Sequence, residues 1–383
     1  MKLKFFFALG LTLIIACTND AEKPDADSNS GDPYAFRSYR INMQAPKYKL
    51  DKLIEEVHII GLEETDSSLL GNIVNVRQSD GFYYFSQEKA LYIFNEQGKY
   101  VNSIHRAGEG PEEYDNILSH WTRGDTVSVY DLSNAEVLSY TRQGDFINSK
   151  VLPHQPMHML STDQGYWLNI NDRLDSANYE LAFIDESGEN KQFYLPVSFS
   201  LGFPVYSNFN NFRWIDGAPT YKHFLKDTIY LLGEDNVRPF IHFDFGEKYL
   251  WNDQAMQKDA DAAMQAVGKG GKVWVFNPYV GKDHIYMNYN TSFTDSEYIL
   301  IDRQTEKVVR IDRGILEGED LRFAANYWDS DRLLLTVGSS DLGELLKGLN
   351  PSQYTFETGN SLEEIESSEN PVLVWVKFKM PEL

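Results

Sequence analysis

The chain has 383 residues, 42% apolar and 14% aromatic, with 57 acidic against 35 basic side chains and a formal charge of −22. That excess repels phosphate backbones and anionic headgroups, which argues against nucleic acid as a partner and against electrostatic attachment to a lipid surface. A single cysteine excludes an internal disulfide, so stability has to come from a buried core and from sheet pairing.

At the N-terminus, Lys2 and Lys4 precede the apolar run Phe5–Leu13, the charged head and short greasy body of a secretory signal, too short for a membrane span. The body ends in Ile14-Ile15-Ala16-Cys17. A small residue before the only cysteine resembles the lipobox of bacterial lipoproteins, in which the thiol is acylated and becomes the new N-terminus. Residues 1–16 are therefore expected to be a signal peptide. Residues 17–37, polar and rich in Asp, Ser and Pro, are expected to be a lipidated flexible tether. Contact with the membrane would run through acyl chains on Cys17, since several chains hold firmly where one is marginal. Asp25-x-Asp27-x-Asn29 imitates the start of a calcium loop, but Ser30 and Phe36 stand where the glycine and the bidentate glutamate are required.

The folded part, residues 38–383, is built on an internal repeat. Leu91–Ile104 reads as two apolar strands around a polar turn that ends in Gly98. The same shape returns around Gly144 and Gly188, at spacings of 46 and 44 residues, and around Thr305 in Tyr298–Ile311. A weaker copy covers Thr228–Ile241. Further strand-like runs precede the clear copies at Phe82–Phe85, Thr126–Tyr130, Gly165–Ile170 and His284–Asn288. Four strands in each period of about 45 residues is the pattern of a β-propeller blade. The span Leu53–Lys379 holds six or seven such periods, and an insertion between the weaker copy and the Thr305 copy leaves six. That insertion, Leu250–Val267, is rich in alanine, lacks proline and predicts a helix ended by Gly268-Lys-Gly-Gly271. A second short helix is expected over Asp341–Leu349. Both would decorate a blade edge or the channel mouth. The β-forming run Val372–Lys379 is expected to pair with Val57–Leu62 and close the ring, which removes exposed sheet edges.

Ile60-Gly-Leu62-Glu63-Glu-Thr65 with Ser68–Ile73, the glycine-rich stretch Arg106-Ala-Gly108-Glu-Gly110-Pro111-Glu-Glu113-Tyr114, and Lys226–Tyr230 together resemble the six-bladed β-propeller lipoproteins of Gram-negative envelopes. The chain departs from that pattern at Gly61, His105 and Glu112. The resemblance implies an all-β, six-bladed propeller with a short helical insertion, held at the outer membrane and facing either the periplasm or the cell surface. It implies no particular activity.

The Gly108–Tyr114 loop has two open readings. In one, Arg106, Glu109, Glu113 and Tyr114 form a binding loop whose glycines let a ligand approach the backbone. In the other, the loop is a blade-to-blade crossover in which Glu113 and Tyr114 satisfy buried backbone groups and Gly110 adopts positive φ. No phosphate-loop ending follows it, and Gly268–Lys272 lacks the hydroxyl such a loop needs. His154 and His158 have zinc spacing, but Pro153 and Pro156 forbid the helix that would align them. No Gly-x-Ser-x-Gly elbow is present. Asn169, Asn171, Asp172 and Asn211 are candidate oxygen donors for a channel calcium ion, without a diagnostic spacing. Trp121, Trp167, Trp214, Trp251, Trp274 and Trp328 fall roughly one to a blade, suited to core packing or to stacking against sugars. The expected function is a non-enzymatic module that binds a glycan, a peptide or an envelope protein. The alternative is a channel-site hydrolase or lyase resembling calcium-dependent lactonase-type propellers. The channel lining discriminates: carboxylates and amides converging within coordination distance favour the enzyme, and a channel plugged by aromatic and aliphatic side chains favours binding.

Overall fold

The computed structural model describes residues 32–381, apart from 72, 171–178, 189–190, 198–209, 234–235, 317–318 and 358. The signal peptide, Cys17 and most of the expected tether lie outside the described residues. The last tether residues do not hang free: Tyr34 packs on Phe240 at 6.2 Å, and Arg37–Arg40 is a strand.

Six antiparallel sheets follow one another around a ring. Blade 1 is Val74–Ser79, Phe82–Gln87, Ala90–Asn95 and Tyr100–Ile104, and blade 2 is Ser119–Arg123, Thr126–Asp131, Glu136–Thr141 and Phe146–Val151. Blade 3 is His158–Thr162, Gly165–Asn169, Tyr179–Asp185 and Lys191–Pro196, and blade 4 is Phe212–Ile215, Ala218–Tyr221, Thr228–Leu232 and Val237–Asp244. Blade 5 is Val275–Val280, His284–Asn290, Ser296–Asp302 and Val308–Asp312. Blade 6 combines both ends of the chain: Phe323–Asp329, Arg332–Val337 and Val372–Phe378 pair in order, and Ile54–Gly61 adds antiparallel to Val372–Phe378 with Val374 opposite Ile59. The expected closure is therefore the observed one.

Strand alternation explains why the ring holds. In Thr126–Asp131, Val127 and Val129 point toward blade 1, while Tyr130 points toward blade 3. Both faces of a blade are covered, so its middle strands read as nearly continuous apolar runs. The described core accordingly divides into six clusters, one at each seam between neighbouring blades. Three repeat turns carry positive φ on Gly98, Gly144 and Gly188. A Cβ at Gly98 would also overlap the Gly61 carbonyl of the closing strand. In the Thr305 copy the positive φ falls on Glu306, at 58°, and the Asp302 carboxylate holds the turn by accepting the Gln304 N–H at 2.9 Å and the Thr305 N–H at 2.6 Å.

Three additional strands lie on the outer edges of blades 4 to 6, each parallel to its neighbour. Arg37–Arg40 adds to blade 4, Lys47–Lys49 to blade 5 and Tyr354–Phe356 to blade 6. The N-terminal segment thus straps two blades before it enters the ring. The insertion differs from expectation. Its helix starts at Ala260, not Leu250, because the Asp259 side chain caps it by accepting the Ala262 N–H. The preceding residues form short 3₁₀ turns that bury Leu250 and Trp251, and Gly270 ends the helix with φ 74°. Ala263 and Val267 seal the seam between blades 4 and 5, and no residue of this helix lines the channel. The second helix is shorter than expected, Leu342–Leu346, since Lys347 turns extended and Gly348 has φ 86°. No described helix is long and apolar enough to cross a membrane.

Candidate functional site

Two places compete as the site: the Gly108–Tyr114 loop and the central channel. In the loop, Tyr114 is fully buried. Its hydroxyl lies 2.9 Å from the Ile104 carbonyl and 3.0 Å from the Lys89 carbonyl, and accepts the Arg106 N–H at 3.2 Å. Burial raises its pKa to about 12. Glu113 accepts the Gly110 N–H at 2.8 Å, and a Cβ on Gly108 would overlap that same carboxylate. The expectation of positive φ at Gly110 is corrected: neither Gly108 nor Gly110 has it, and the glycines are needed to leave room for Glu113. Arg106 donates to the Gly144 carbonyl of blade 2 at 3.0 Å, and Tyr140 of that blade donates to the Glu112 carbonyl at 2.9 Å. Glu109 is exposed. Arg106 and Tyr114 thus contact blade 2 while Glu113 holds the loop's own backbone, and none of the four candidates lines the central cavity.

That cavity, of about 700 Å³, is walled by the first strands of all six blades. Among the described residues its lining contains Arg77, Arg213 and Arg313 but no aspartate or glutamate. In an acidic protein this is a selective exclusion. Elsewhere, two buried cations face carboxylates: Arg303 meets Asp216 at 3.0 Å, and Lys226 pairs with the buried Glu180. Inside the channel the cations do not. Arg213 lies 4.1 Å over the Tyr279 ring and donates to the Asn326 carbonyl at 3.0 Å. Arg313 is sandwiched between Tyr298 and Phe323, at 4.3 and 3.6 Å, and donates to the Phe323 carbonyl at 3.2 Å. Arg77 has no hydrogen-bond or ion-pair partner among the described residues. Burial and the nearby Arg213 both lower its pKa, with Tyr327 opposing the shift. A guanidinium stays charged regardless.

Two of the first strands are irregular where they meet the cavity. Blade 1 shifts register between Val74 and Arg77, with Asn75 at φ 55°, and blade 6 shifts between Ala325 and Trp328. Such bulges re-aim side chains at the cost of ladder pairing. Asn326, in the second bulge, is fixed by donating to Thr336 Oγ1 at 2.9 Å. His120 is buried in the wall, with Nε2 3.3 Å from the Tyr84 carbonyl and Nδ1 without a partner. Burial, reinforced by Arg77, lowers its pKa to about 3, so at neutral pH it is an uncharged ring presenting an acceptor. A narrow pocket shares Arg213, Asn210 and Ile215 with the channel and contains Lys222. The Lys222 amine donates to the His223, Phe224 and Phe276 carbonyls at 3.2, 3.4 and 3.2 Å. Burial lowers its pKa to about 7, with Asp227 opposing the shift and Arg213 adding to it.

The candidate calcium donors do not converge. Asn169 is committed to Tyr221 Oη at 2.9 Å, Asn211 lines the narrow pocket, and Asn171 and Asp172 lie outside the described residues. No group of three or more His, Cys, Asp or Glu side chains among the described residues is arranged to hold a metal ion. Trp167 and Trp251 are buried in seams and Trp274 packs on the blade 4–5 cluster, whereas Trp121, Trp214 and Trp328 line the channel, Trp121 and Trp328 while also packing against seam clusters. The three channel arginines are absent from the sequence expectations. The available signal was one arginine in the first strand of blades 1 and 4, where neighbouring positions face the axis.

The fold and this axial cavity define a six-bladed β-propeller. Residues 38–377 match a domain of unknown function (DUF4934), and the chain belongs to that family. It is similar in structure to a protein from Bacteroides fragilis assigned as exported, with 17% identity and a TM-score of 0.69, over 90% of this chain and 99% of that one. A weaker likeness joins it to a DUF4221 member from Bacteroides vulgatus, at 11% identity and a TM-score of 0.48, over 85% and 97% of the two chains. No curated protein matches the chain.

Proposed function

We propose that the protein is an exported, lipid-anchored propeller that binds an anionic small molecule in its axial channel without converting it. One observation carries the reading: three guanidinium groups face one cavity with no carboxylate in its described lining. Of the three, Arg77 has no hydrogen-bond or ion-pair partner among the described residues, and an anionic ligand would supply one. The described lining has neither the carboxylate pair that general acid–base hydrolysis uses nor the carboxylate set a calcium ion requires, which supports binding over the lactonase-like alternative. The signal-like N-terminus and Cys17 support export and acyl anchoring, in agreement with the exported assignment of the Bacteroides fragilis neighbour.

The test is a titration of the mature chain with citrate, read by the fluorescence of the channel tryptophans. Saturable binding that disappears in the combined Arg77→Gln, Arg213→Gln, Arg313→Gln variant supports the reading. Absence of any saturable response in the unaltered protein, to citrate and to trigalacturonate alike, refutes it.

A further inference from the structure

Resting on that reading, we infer that the ligand is an acidic saccharide, with its carboxylate or sulfate on Arg77 and its ring faces against the channel indoles. Arg77 is the seat for the anion because Arg213 and Arg313 are already fixed by aromatic rings and backbone carbonyls, whereas the Arg77 fork is unoccupied among the described residues. A free guanidinium fork matches the two oxygens of a carboxylate or sulfate in bidentate geometry.

The remaining wall separates a saccharide from a bare polyanion. Citrate or inorganic phosphate needs only donors, yet the wall also offers acceptors. Gln78 and Asn288 contribute amide oxygens to the lining. Acceptors serve a ligand that carries hydroxyl hydrogens. Trp214 leaves 48% of its surface exposed, an unusual position for an indole that contributes to no buried cluster. Trp328 is locked in plane by its Nε1–H donating to the Tyr279 carbonyl at 2.8 Å, but Gly281 covers one of its ring faces, which leaves Trp214 as the open indole. An open π face such as that of Trp214 carries negative charge at its centre, which suits the weakly positive C–H face of a pyranose ring. The volume of about 700 Å³ lies within the range of small-molecule sites and suits a short oligosaccharide.

The experiment compares four probes by calorimetry on the mature chain: trigalacturonate, a sulfated heparin disaccharide, maltotriose and citrate. The expected result is that one of the two acidic sugars binds at least tenfold more tightly than maltotriose and than citrate, and the stronger of the two identifies carboxylate or sulfate as the anion. Arg77→Gln should abolish the preference for the acidic sugar with an unchanged melting temperature. Trp214→Ala, at an exposed position, should weaken the sugar tenfold and leave citrate unaffected. Citrate binding as tight as either acidic sugar, or maltotriose binding equally well, overturns the saccharide inference while the anion reading stands. If none of the four binds, both fall.

Discussion

The Arg106–Tyr114 loop and the axial channel are opposites in how they are written. The loop is contiguous, rich in glycine and charge, and easily noticed, yet its groups point at each other: Glu113 at Gly110, Tyr114 at Ile104 and Lys89, Arg106 at the next blade. The channel is assembled from single residues of distant strands, and one of its cations, Arg77, has no hydrogen bond or ion pair among the described residues. A dense local motif that satisfies itself is a structural joint. Unsatisfied polarity gathered from many strands is where a partner molecule belongs.

Substitutions can break this contrast, since loop changes should cost stability and channel changes should cost binding. The largest effect is expected from Tyr114→Ala, which removes a buried ring together with its three hydrogen-bond contacts. A loss of about 3–5 kcal/mol, measured by urea unfolding, is the expectation for such a truncation. A loss below about 1 kcal/mol would remove the loop's structural role. Lys222 sharpens the comparison through pH. Its folded pKa, about 7, lies below the ordinary lysine value of 10.5, so between these limits the unfolded chain binds more protons and stability gains with rising pH. Lys222→Met should therefore stabilise the protein relative to wild type at pH 6, and the advantage should shrink by pH 9. A pH-independent difference would count against the buried amine. Gly110→Ala is a smaller perturbation. Without positive φ to lose, it should cost about 1 kcal/mol by crowding the Glu113 carboxylate, which a new Cβ would meet at 3.0 Å. Arg77→Gln should be the mildest in stability, with a melting temperature equal to or above wild type because an uncompensated charge is removed. A large drop would mean that Arg77 has a structural partner. Separately, Cys17→Ser should shift the protein from the membrane to the soluble fraction, and retention on membranes would refute acyl anchoring.

Much of the architecture was legible because propeller information is local. Period-two alternation and the turns at Gly98, Gly144 and Gly188 reveal strands, and their spacing reveals blades. Closure by Val372–Phe378 was legible too, since a strong strand at one end needs a partner at the other. The strap was not. Arg37–Arg40 and Lys47–Lys49 pair parallel with strands about 200 residues or more away and leave no nearby trace. The helix start was misplaced because alanine content marks propensity, while the Asp259 cap decides where the helix begins. The channel was illegible for a related reason. Arg77 and Arg213 each look like an ordinary surface arginine until the ring brings them to one cavity, and only then does the lack of carboxylates become visible.

The most direct measurement is a crystal structure of the mature protein grown with citrate. Density for citrate in the axial channel, with a carboxylate on the Arg77 guanidinium, is the result this account requires. An empty channel with citrate seated instead on Arg106 of the crossover loop would contradict it.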